Sequence, residues 1–431
     1  MTVAEPQARL LVVMGSGETS PTMSKVHREL FERLGPGPVP AAVLDTPFGF
    51  QENADDIAAK AVAYFRESVN RDVAVASFRS AGEIGTFGYE TALARLRDAR
   101  WVFSGPGSPS YALRQWQESD VPGILADKLA GGGCVVFASA AAVTLGPVAL
   151  PVYEIYKVGE APRWLAGLDL LAPLGLAAAV VPHFNNAEGG NHDTRYCYMG
   201  ERRLRALEGQ LPGGAFVLGV DEHTACVFDL AAGTATVSGL GGVTVRSRGR
   251  STFVEAGRTV GTGCLAKLAE GLGARPAGAH ATAPPPAAPG MATAPAPSPL
   301  MGDVARIEAA FAAALGGRDA PAAVTCVLEL EALLVDWSRD TLQSDEMRRG
   351  RAALRAMIVR LGEVAGHGLR DLRPVVAPLV DALLHARDHA REARDYAAAD
   401  AIRDRLAEAG VEVQDTPAGT TWHLSRGPLV T

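Results

Sequence analysis

The sequence predicts an α/β domain of doubly wound type with a mostly parallel sheet, then a linker and a small, mainly helical domain. Three observations carry this prediction. Short apolar runs alternate with helical patterns over the first 273 residues, the signature of strands covered by helices on both faces. Several of those runs lack polar alternation, as strands buried on both faces do. A stretch of Ala, Pro, Gly, Thr and Ser then separates them from a segment with helical periodicity only.

In chain order the predicted strands are Arg9–Met14, Ala41–Asp45, Val73–Phe78, Trp101–Ser104, Cys134–Ala138, Ala178–Val181 and Phe216–Val220. Helical patterns lie between them at Asp55–Glu67, Tyr89–Arg97 and Gly200–Glu208. From Thr224 to Val254 the chain reads as short antiparallel strands joined at glycines. Ala274 to Ser298 runs ARPAGAHATAPPPAAPGMATAPAPS. That composition buries too little apolar surface to offset its ordering entropy, so the segment should be extended and mobile, and its prolines favour a semi-rigid spacer over a compact loop. The boundaries are therefore a first domain over 1–273, a linker over 274–302 and a second domain over 303–431. Apolar periodicity recurs there at Val304–Leu315, Ala322–Trp337, Glu346–Val364 and Val375–Ala409, before a strand-and-turn tail, VEVQDTPAGTTWHL.

The 431 residues are 48% hydrophobic and 21% charged, ordinary for globular protein. A net charge of −7 gives no general attraction for nucleic acid or an anionic membrane. The five cysteines (Cys134, Cys197, Cys226, Cys264 and Cys326) are odd in number and form no CxxC pair. That argues against a disulfide framework or a zinc ribbon and for reduced thiols. No basic segment followed by an apolar run opens the chain, and no apolar stretch is long enough for a span. A cytoplasmic protein without membrane, metal or cofactor is the expectation.

Open α/β sheets bind ligands at the carboxyl ends of their strands. Ser139 lies there, where CVVFA runs into a string of small residues. A nucleophile elbow needs this arrangement: a sharp strand-to-helix turn exposes the hydroxyl, and the next backbone N–H, of Ala140, faces an oxyanion. Ser139 as a plain helix cap fits the same residues. His183 follows the strand AAAVV and could accept the serine proton, or be an ordinary core histidine. Asp221 or Glu222, after AFVLGV, could orient that histidine, or begin a turn. Gly105 and Gly107 in SGPGSPSYAL could bring N–H groups to a substrate, or be turn glycines. The loop Asn185–Arg195 is rich in polar groups and glycine. Its Glu188, His192, Asp193 and Arg195 are candidate substrate-binding residues. All these positions are expected on one sheet.

Residues 9–255 resemble the cyanophycinase and aspartyl dipeptidase family, serine peptidases on the class I glutamine amidotransferase-like fold. The resemblance rests on VVMGSGE, FSGPGSPSYAL, the elbow FASAAA, HF at His183–Phe184 and GVDEHTA at Gly219–Ala225, in family order. It implies Ser139 as nucleophile, His183 as base, Glu222 as the acidic partner, and Gly107 and Ala140 as oxyanion donors. Two departures stand out. Phe137 and Ala141 occupy places where the family elbow has glycine, and the arginines that follow HF in the family are replaced by NNAEGGNHDTRYCYMGERR. Substrate preference is therefore not transferred, and a serine in place of cysteine argues against ammonia release from glutamine.

The tail ARDHAREARDYAAADAIRDRLAEAGVEVQDTPAGTTW resembles the C-terminal end of cysteinyl-tRNA synthetases through Ala399–Asp404 and the turn Asp415–Trp422. That resemblance implies a tRNA-anticodon role, with Trp422 placed to stack on a base and Asp415 beside it. No HIGH-type ATP motif or zinc-ligand cysteine set accompanies it, so aminoacylation is not expected. Residues 303–431 hold about 16 arginines against about 20 acidic residues, a poor balance for phosphate contacts. Arg387, Arg391 and Arg394 also fit a salt-bridged solvated helix, so a protein-docking module is at least as open for the tail as tRNA binding. The leading expectation is a serine-dependent peptidase or amidase of small substrates. A non-catalytic metabolite sensor and a hydrolase whose second domain holds tRNA are the alternatives, and a homodimer stays open.

Overall fold

The computed structural model of the protein describes residues 7–189, 192–273, 298–338, 346–366, 373–416 and 419–424. The predicted linker lies outside the described residues except at 298–302, where a helix has already begun at Pro299. Gly190 and Asn191 of the loop after His183, and Pro417 and Ala418 of the tail turn, also lie outside them. The chain divides into two compact units, Met1–Ser298 with Leu333–Arg348, and Pro299–Ala332 with Arg349–Thr431. No helix among the described residues is long and apolar enough to cross a membrane.

The first unit begins with β1 (Arg9–Met14), α1 (Ser24–Arg33), β2 (Ala41–Leu44), α2 (Ala54–Tyr64), β3 (Ala74–Ala76), α3 (Phe87–Asp98) and β4 (Trp101–Ser104). It continues with α4 (Pro109–Trp116), α5 (Val121–Gly131), β5 (Gly133–Ala138), α6 (Ser139–Val143) and a short ribbon of β6 (Val148–Ala149) and β7 (Leu165–Ala166). Next come β8 (Ala178–Val181), α7 (Gly200–Glu208), β9 (Phe216–Val220), β10 (Thr224–Asp229) and β11 (Thr234–Gly239). The unit ends with β12 (Gly242–Ser247), β13 (Arg250–Glu255), β14 (Thr259–Gly261) and α8 (Thr262–Gly273).

Why the strand runs lack polar alternation is visible in the packing. Leu10, Val12, Met14, Cys134 and Val136 face one apolar cluster, whereas Leu11, Val13, Val135 and Phe137 face another. Successive residues of a strand point to opposite faces, so covering both faces demands apolar residues throughout. The first cluster includes Phe31, Tyr64, Phe65, Trp101 and Phe103, with Phe31 stacked on Trp101 at 4.7 Å.

The strands form two main sheets, not the single sheet expected from sequence. The larger has order β14-β11-β10-β1-β5-β4-β2-β3. Its β1-β5-β4-β2-β3 portion is parallel, and β10, β11 and β14 extend it antiparallel. The smaller has order β13-β12-β9-β8, with β8 and β9 parallel. The cause is β10, which leaves β9 after three residues and takes the place beside β1. β9 then pairs with β8 on one side and with β12 on the other. Arg246 of β12, 4% exposed, ties this sheet to α7 through bonds to Glu201 and Glu208.

After the first unit's helix α8 come α9 (Pro299–Gly316), α10 (Ala320–Trp337), α11 (Glu346–Gly366), α12 (Arg373–Glu392), α13 (Tyr396–Glu408) and a hairpin of β15 (Val411–Thr416) with β16 (Gly419–Leu424), all of them in the second unit except the stretch Leu333–Arg348 at the end of α10 and the start of α11. The periodic run Val375–Ala409 is therefore two helices. Arg394 turns the chain with φ +65°, and Asp395 caps α13 by accepting the N–H of Ala398 at 3.1 Å.

The hairpin packs on these helices, and Trp422, expected as a stacking platform, lies in the core. Trp422 is 8% exposed among Val380, Leu384, Leu406 and Val411. Its indole N–H donates to Asp381 at 3.1 Å, and the Arg373 guanidinium lies over its ring at 5.0 Å. Asp415 takes both arms of Arg387, at 3.0 and 2.6 Å, and a bond from Arg391 at 3.0 Å. The Arg387 bond holds its carboxyl well below the usual carboxylate range. The indole is a core side chain, and the Asp415 carboxylate, although exposed, is engaged by two arginines.

Candidate active site

β5 ends at Ala138 in extended conformation, and α6 starts at once with Ser139. Ser139 has φ +48°, in the left-handed region that costs a non-glycine residue about 1 kcal/mol or more. Such strain at a strand end is what throws a nucleophile clear of its own sheet. Phe137 and Ala141 fit where glycines were expected. The Phe137 ring packs 5.5 Å from Trp116 in the core, and the Ala141 N–H donates to the Gly105 carbonyl at 3.1 Å.

His183 follows β8 and also has a positive φ, +48°. Its Nε2 lies 3.0 Å from Ser139 Oγ, and its Nδ1 lies 2.9 Å from Glu222 Oε1. Glu222, after β9, also accepts the Asn186 side-chain amide at 3.0 Å, while its own N–H donates to Asn185 Oδ1 at 2.8 Å. Asp221 turns the other way and accepts the Gly242 N–H at 2.9 Å. The serine thus comes from the larger sheet, and the histidine and glutamate from the smaller.

Burial works against a charged His183. The hydrogen bond and charge of Glu222, with the charges of Glu18 and Glu188, outweigh it and hold the imidazole above its ordinary value. Burial likewise opposes the Glu222 carboxylate, yet the His183 and Asn186 bonds leave its pKa below normal. Asp221 is pushed by burial to about 6, against the Gly242 bond.

Ser139 and His183 border a cavity of about 440 Å³ whose lining also includes Gly107, Glu18, Glu188 and His192. Gly107 takes φ +137°, and a Cβ there would sit 2.0 Å from the Pro47 carbonyl oxygen, so the turn admits glycine alone. The Ala140 N–H belongs to the first turn of α6, where amides have no partner within the helix. Glu188 and His192 lie on the exposed rim, with Glu188 accepting the Tyr198 hydroxyl at 2.9 Å. Asp193 and Arg195 do not line the cavity. They pair with each other at 2.8 and 2.9 Å, and Asp193 also receives the Glu201 N–H that opens α7.

Three participants went unassigned in the sequence. Asn186 holds Glu222, and its place in a polar loop gave no sign of that role. Tyr198 closes a run, Tyr196–Tyr198, in which every φ lies between +55° and +66°, and the Cys197 N–H of that run donates to the His183 carbonyl at 3.2 Å. Glu18 lines the cavity from the turn after β1, a strand end where ligands are expected.

Among the comparisons with known proteins, residues 373–422 match the family model described as the cysteinyl-tRNA ligase anticodon binding domain. A cysteine–tRNA ligase of Arthrobacter sp. (strain FB24) is 42% identical over 101 residues, 19% of this chain and 21% of the ligase. That of Cutibacterium acnes is 52% identical over 63 residues, 15% of this chain and 13% of the ligase. The chain therefore spans about a fifth or less of the length of these relatives. A crystal structure of a peptidase from an acI-B1 Actinobacterium aligns with TM-score 0.48 and 17% identity, covering 59% of this chain and 98% of that one. A putative peptidase E protein from Listeria monocytogenes EGD-e aligns with TM-score 0.35 and 14% identity, covering 54% of this chain and 100% of that one. The C-terminal 50-residue stretch is thus similar to the anticodon-binding end of cysteinyl-tRNA ligases.

Proposed function

We propose that the first unit is a serine hydrolase acting on small peptides or amides. The observation that carries this is the continuous relay Ser139 Oγ–His183–Glu222, at 3.0 and 2.9 Å, on the wall of a cavity. Neutral His183 takes the Ser139 proton on Nε2 while its Nδ1–H donates to Glu222. Ser139 Oγ bonds to the substrate carbonyl carbon, whose oxygen gains the negative charge beside the Gly107 and Ala140 amides. Collapse breaks the bond to the leaving amine, which receives the proton from His183. A water then repeats the sequence: His183 takes its proton, and the acid leaves as Ser139 is restored.

A fluorophosphonate tests this reading without knowledge of the substrate, since an activated Ser139 displaces its fluoride and forms an O–P bond. The intact mass should rise by one adduct at Ser139, and the Ser139→Ala protein should remain unlabelled yet folded. Equal labelling of both proteins would overturn the proposal.

A second activity, tRNA binding by residues 373–422, is favoured by their match to the anticodon-binding family. Any such contact would use surfaces other than the Trp422 ring and the Asp415 carboxylate, which the fold engages. The expected result is cysteine-accepting tRNA bound with salt-sensitive affinity. Equal affinity for an unrelated stem-loop RNA would count against it.

A further inference from the structure

Glu18 is the most anomalous group in the cavity. It is 2% exposed, and its Oε1 has no hydrogen-bond partner among the described residues. Buried carboxylates are ordinarily paired or bonded, because an unsatisfied charge in a low dielectric is costly. The surrounding structure keeps this one in place. The Glu18 carbonyl accepts His27 Nε2 at 2.8 Å, and His27 is itself enclosed by Tyr64, Phe65, Trp101 and Phe103. The free Oε1 lies against Gly105, where an added Cβ would sit 3.1 Å from it. The Gly105 carbonyl is also the acceptor for Ala141 of the elbow helix. The unpaired oxygen is thus one residue removed from the helix that begins at Ser139, and Glu18 lines the same cavity as Ser139 and His183.

We propose that Glu18 is the anchor for a protonated amino group of the substrate, so that this site takes compounds with a free amine near the scissile carbonyl. The assignment rests on the hydrolase reading above. An ammonium is the complementary group for a buried carboxylate with one unpaired oxygen: it donates up to three bonds and cancels the buried charge. A substrate carboxylate in the same place would meet like charge from Glu18. Burial raises the Glu18 pKa while its own backbone N–H and the His183 charge lower it, so an arriving cation would draw it toward the ionised form. The consequence for selectivity is direct. N-blocked peptides lack the cation and leave the carboxyl unpaired, whereas amino acid amides, esters and short peptides with a free N-terminus supply it.

The experiment measures how fast an amine-free fluorophosphonate labels Ser139 of the full chain, alone and with a panel of dipeptides or their N-acetyl twins. Free-amine dipeptides are expected to slow labelling at concentrations about tenfold or more below those needed of their twins, the scale of one charge-assisted bond. The Glu18→Gln protein, checked for folding by its thermal midpoint, is expected to lose that difference. Equal protection by both sets, or protection by neither while Ser139 still labels, overturns the Glu18 assignment and leaves the hydrolase reading standing. Absence of Ser139 labelling overturns both. Because the wild-type comparison stands alone, a variant that fails to fold does not rescue the idea.

Discussion

Replacing Glu222 by Gln keeps the shape of the third group and removes only its charge. Two donors, the His183 Nδ1–H and the Asn186 amide, converge on Glu222 Oε1 at 2.9 and 3.0 Å. Both need an acceptor, so the new side chain is held with its oxygen in that place and its NH2 turned away. The histidine tautomer is therefore retained. What is lost is the difference between a charged and a neutral acceptor for the imidazolium, about 1 to 2 kcal/mol. That corresponds to about fivefold to thirtyfold in the rate of Ser139 attack and about one unit in the His183 pKa. The sign follows from the structure. Protonated His183 cannot accept the serine proton, so the rate rises with pH through the His183 pKa. Glu222 holds that pKa above the ordinary value. In wild type the rising limb should lie above about 6.5, and in the variant burial should carry it lower. The assay is the second-order rate of fluorophosphonate labelling from about pH 5 to about pH 9. An unmoved limb with an unchanged rate would refute Glu222 as the orienting group. A loss near ten-thousandfold, the scale of a wrong histidine tautomer, would refute the role given to Asn186.

Arg246→Ala should cost about 3 to 5 kcal/mol in urea unfolding, because it strands Glu208, whose side chain is 4% exposed, without its cation. Loss of no more than a surface ion pair's worth would contradict the lock between α7 and β12. Trp422→Ala should destabilise the second unit by about 3 to 5 kcal/mol, read as faster amide exchange across α12 and α13, since it empties a core position and frees Asp381. Gly107→Ala, with its Cβ 2.0 Å from the Pro47 carbonyl oxygen, should abolish Ser139 labelling while leaving the circular dichroism near wild type.

The strands at Arg9–Met14, Trp101–Ser104, Ala178–Val181 and Phe216–Val220 were legible to the residue, because burial on both faces leaves an unbroken apolar run that few other structures explain. The strand-end rule placed Ser139, His183 and the Asp221–Glu222 pair at strand ends without any pairing information. How the strands group was not legible. Nothing in AFVLGV distinguishes a strand beside β1 from one beside β8, since sheet membership is decided by long-range pairing. Choosing between Asp221 and Glu222 also needed the turn geometry, because adjacent side chains point to opposite sides. The tail misled for another reason. A tryptophan at a hairpin end reads equally as a stacking platform or as core, and only the Asp381 acceptor and the 8% exposure decide it. Asp193 and Arg195, two residues apart, satisfied each other across a tight turn, which a count of polar residues does not reveal.

Because Ser139 follows a strand of one sheet and His183 and Glu222 follow strands of the other, something must fix one sheet end against the other, and the contacts converge on Gly15. It follows β1 of the larger sheet, its N–H donates to the Thr224 carbonyl at 2.9 Å, and its carbonyl accepts the His183 N–H at 3.3 Å. A Cβ on Gly15 would lie 2.0 Å from the Asp221 carbonyl oxygen and 2.6 Å from that of Val220. Those are backbone atoms at the end of β9, next to Glu222, and they cannot swing aside as a side chain could. Gly15→Ala must therefore push the β9 end away by about 1 Å, a displacement that costs about a hundredfold when it falls between reacting groups. The overpacking itself should cost only about 1 to 3 kcal/mol of stability. Gly123 in α5, where a Cβ would meet nothing within 4 Å, provides the control. Ser139 labelling should fall about a hundredfold in Gly15→Ala and stay at the wild-type rate in Gly123→Ala. A Gly15→Ala protein that folds and labels at the wild-type rate would show that the sheets are held in register elsewhere, and that the triad does not depend on this contact.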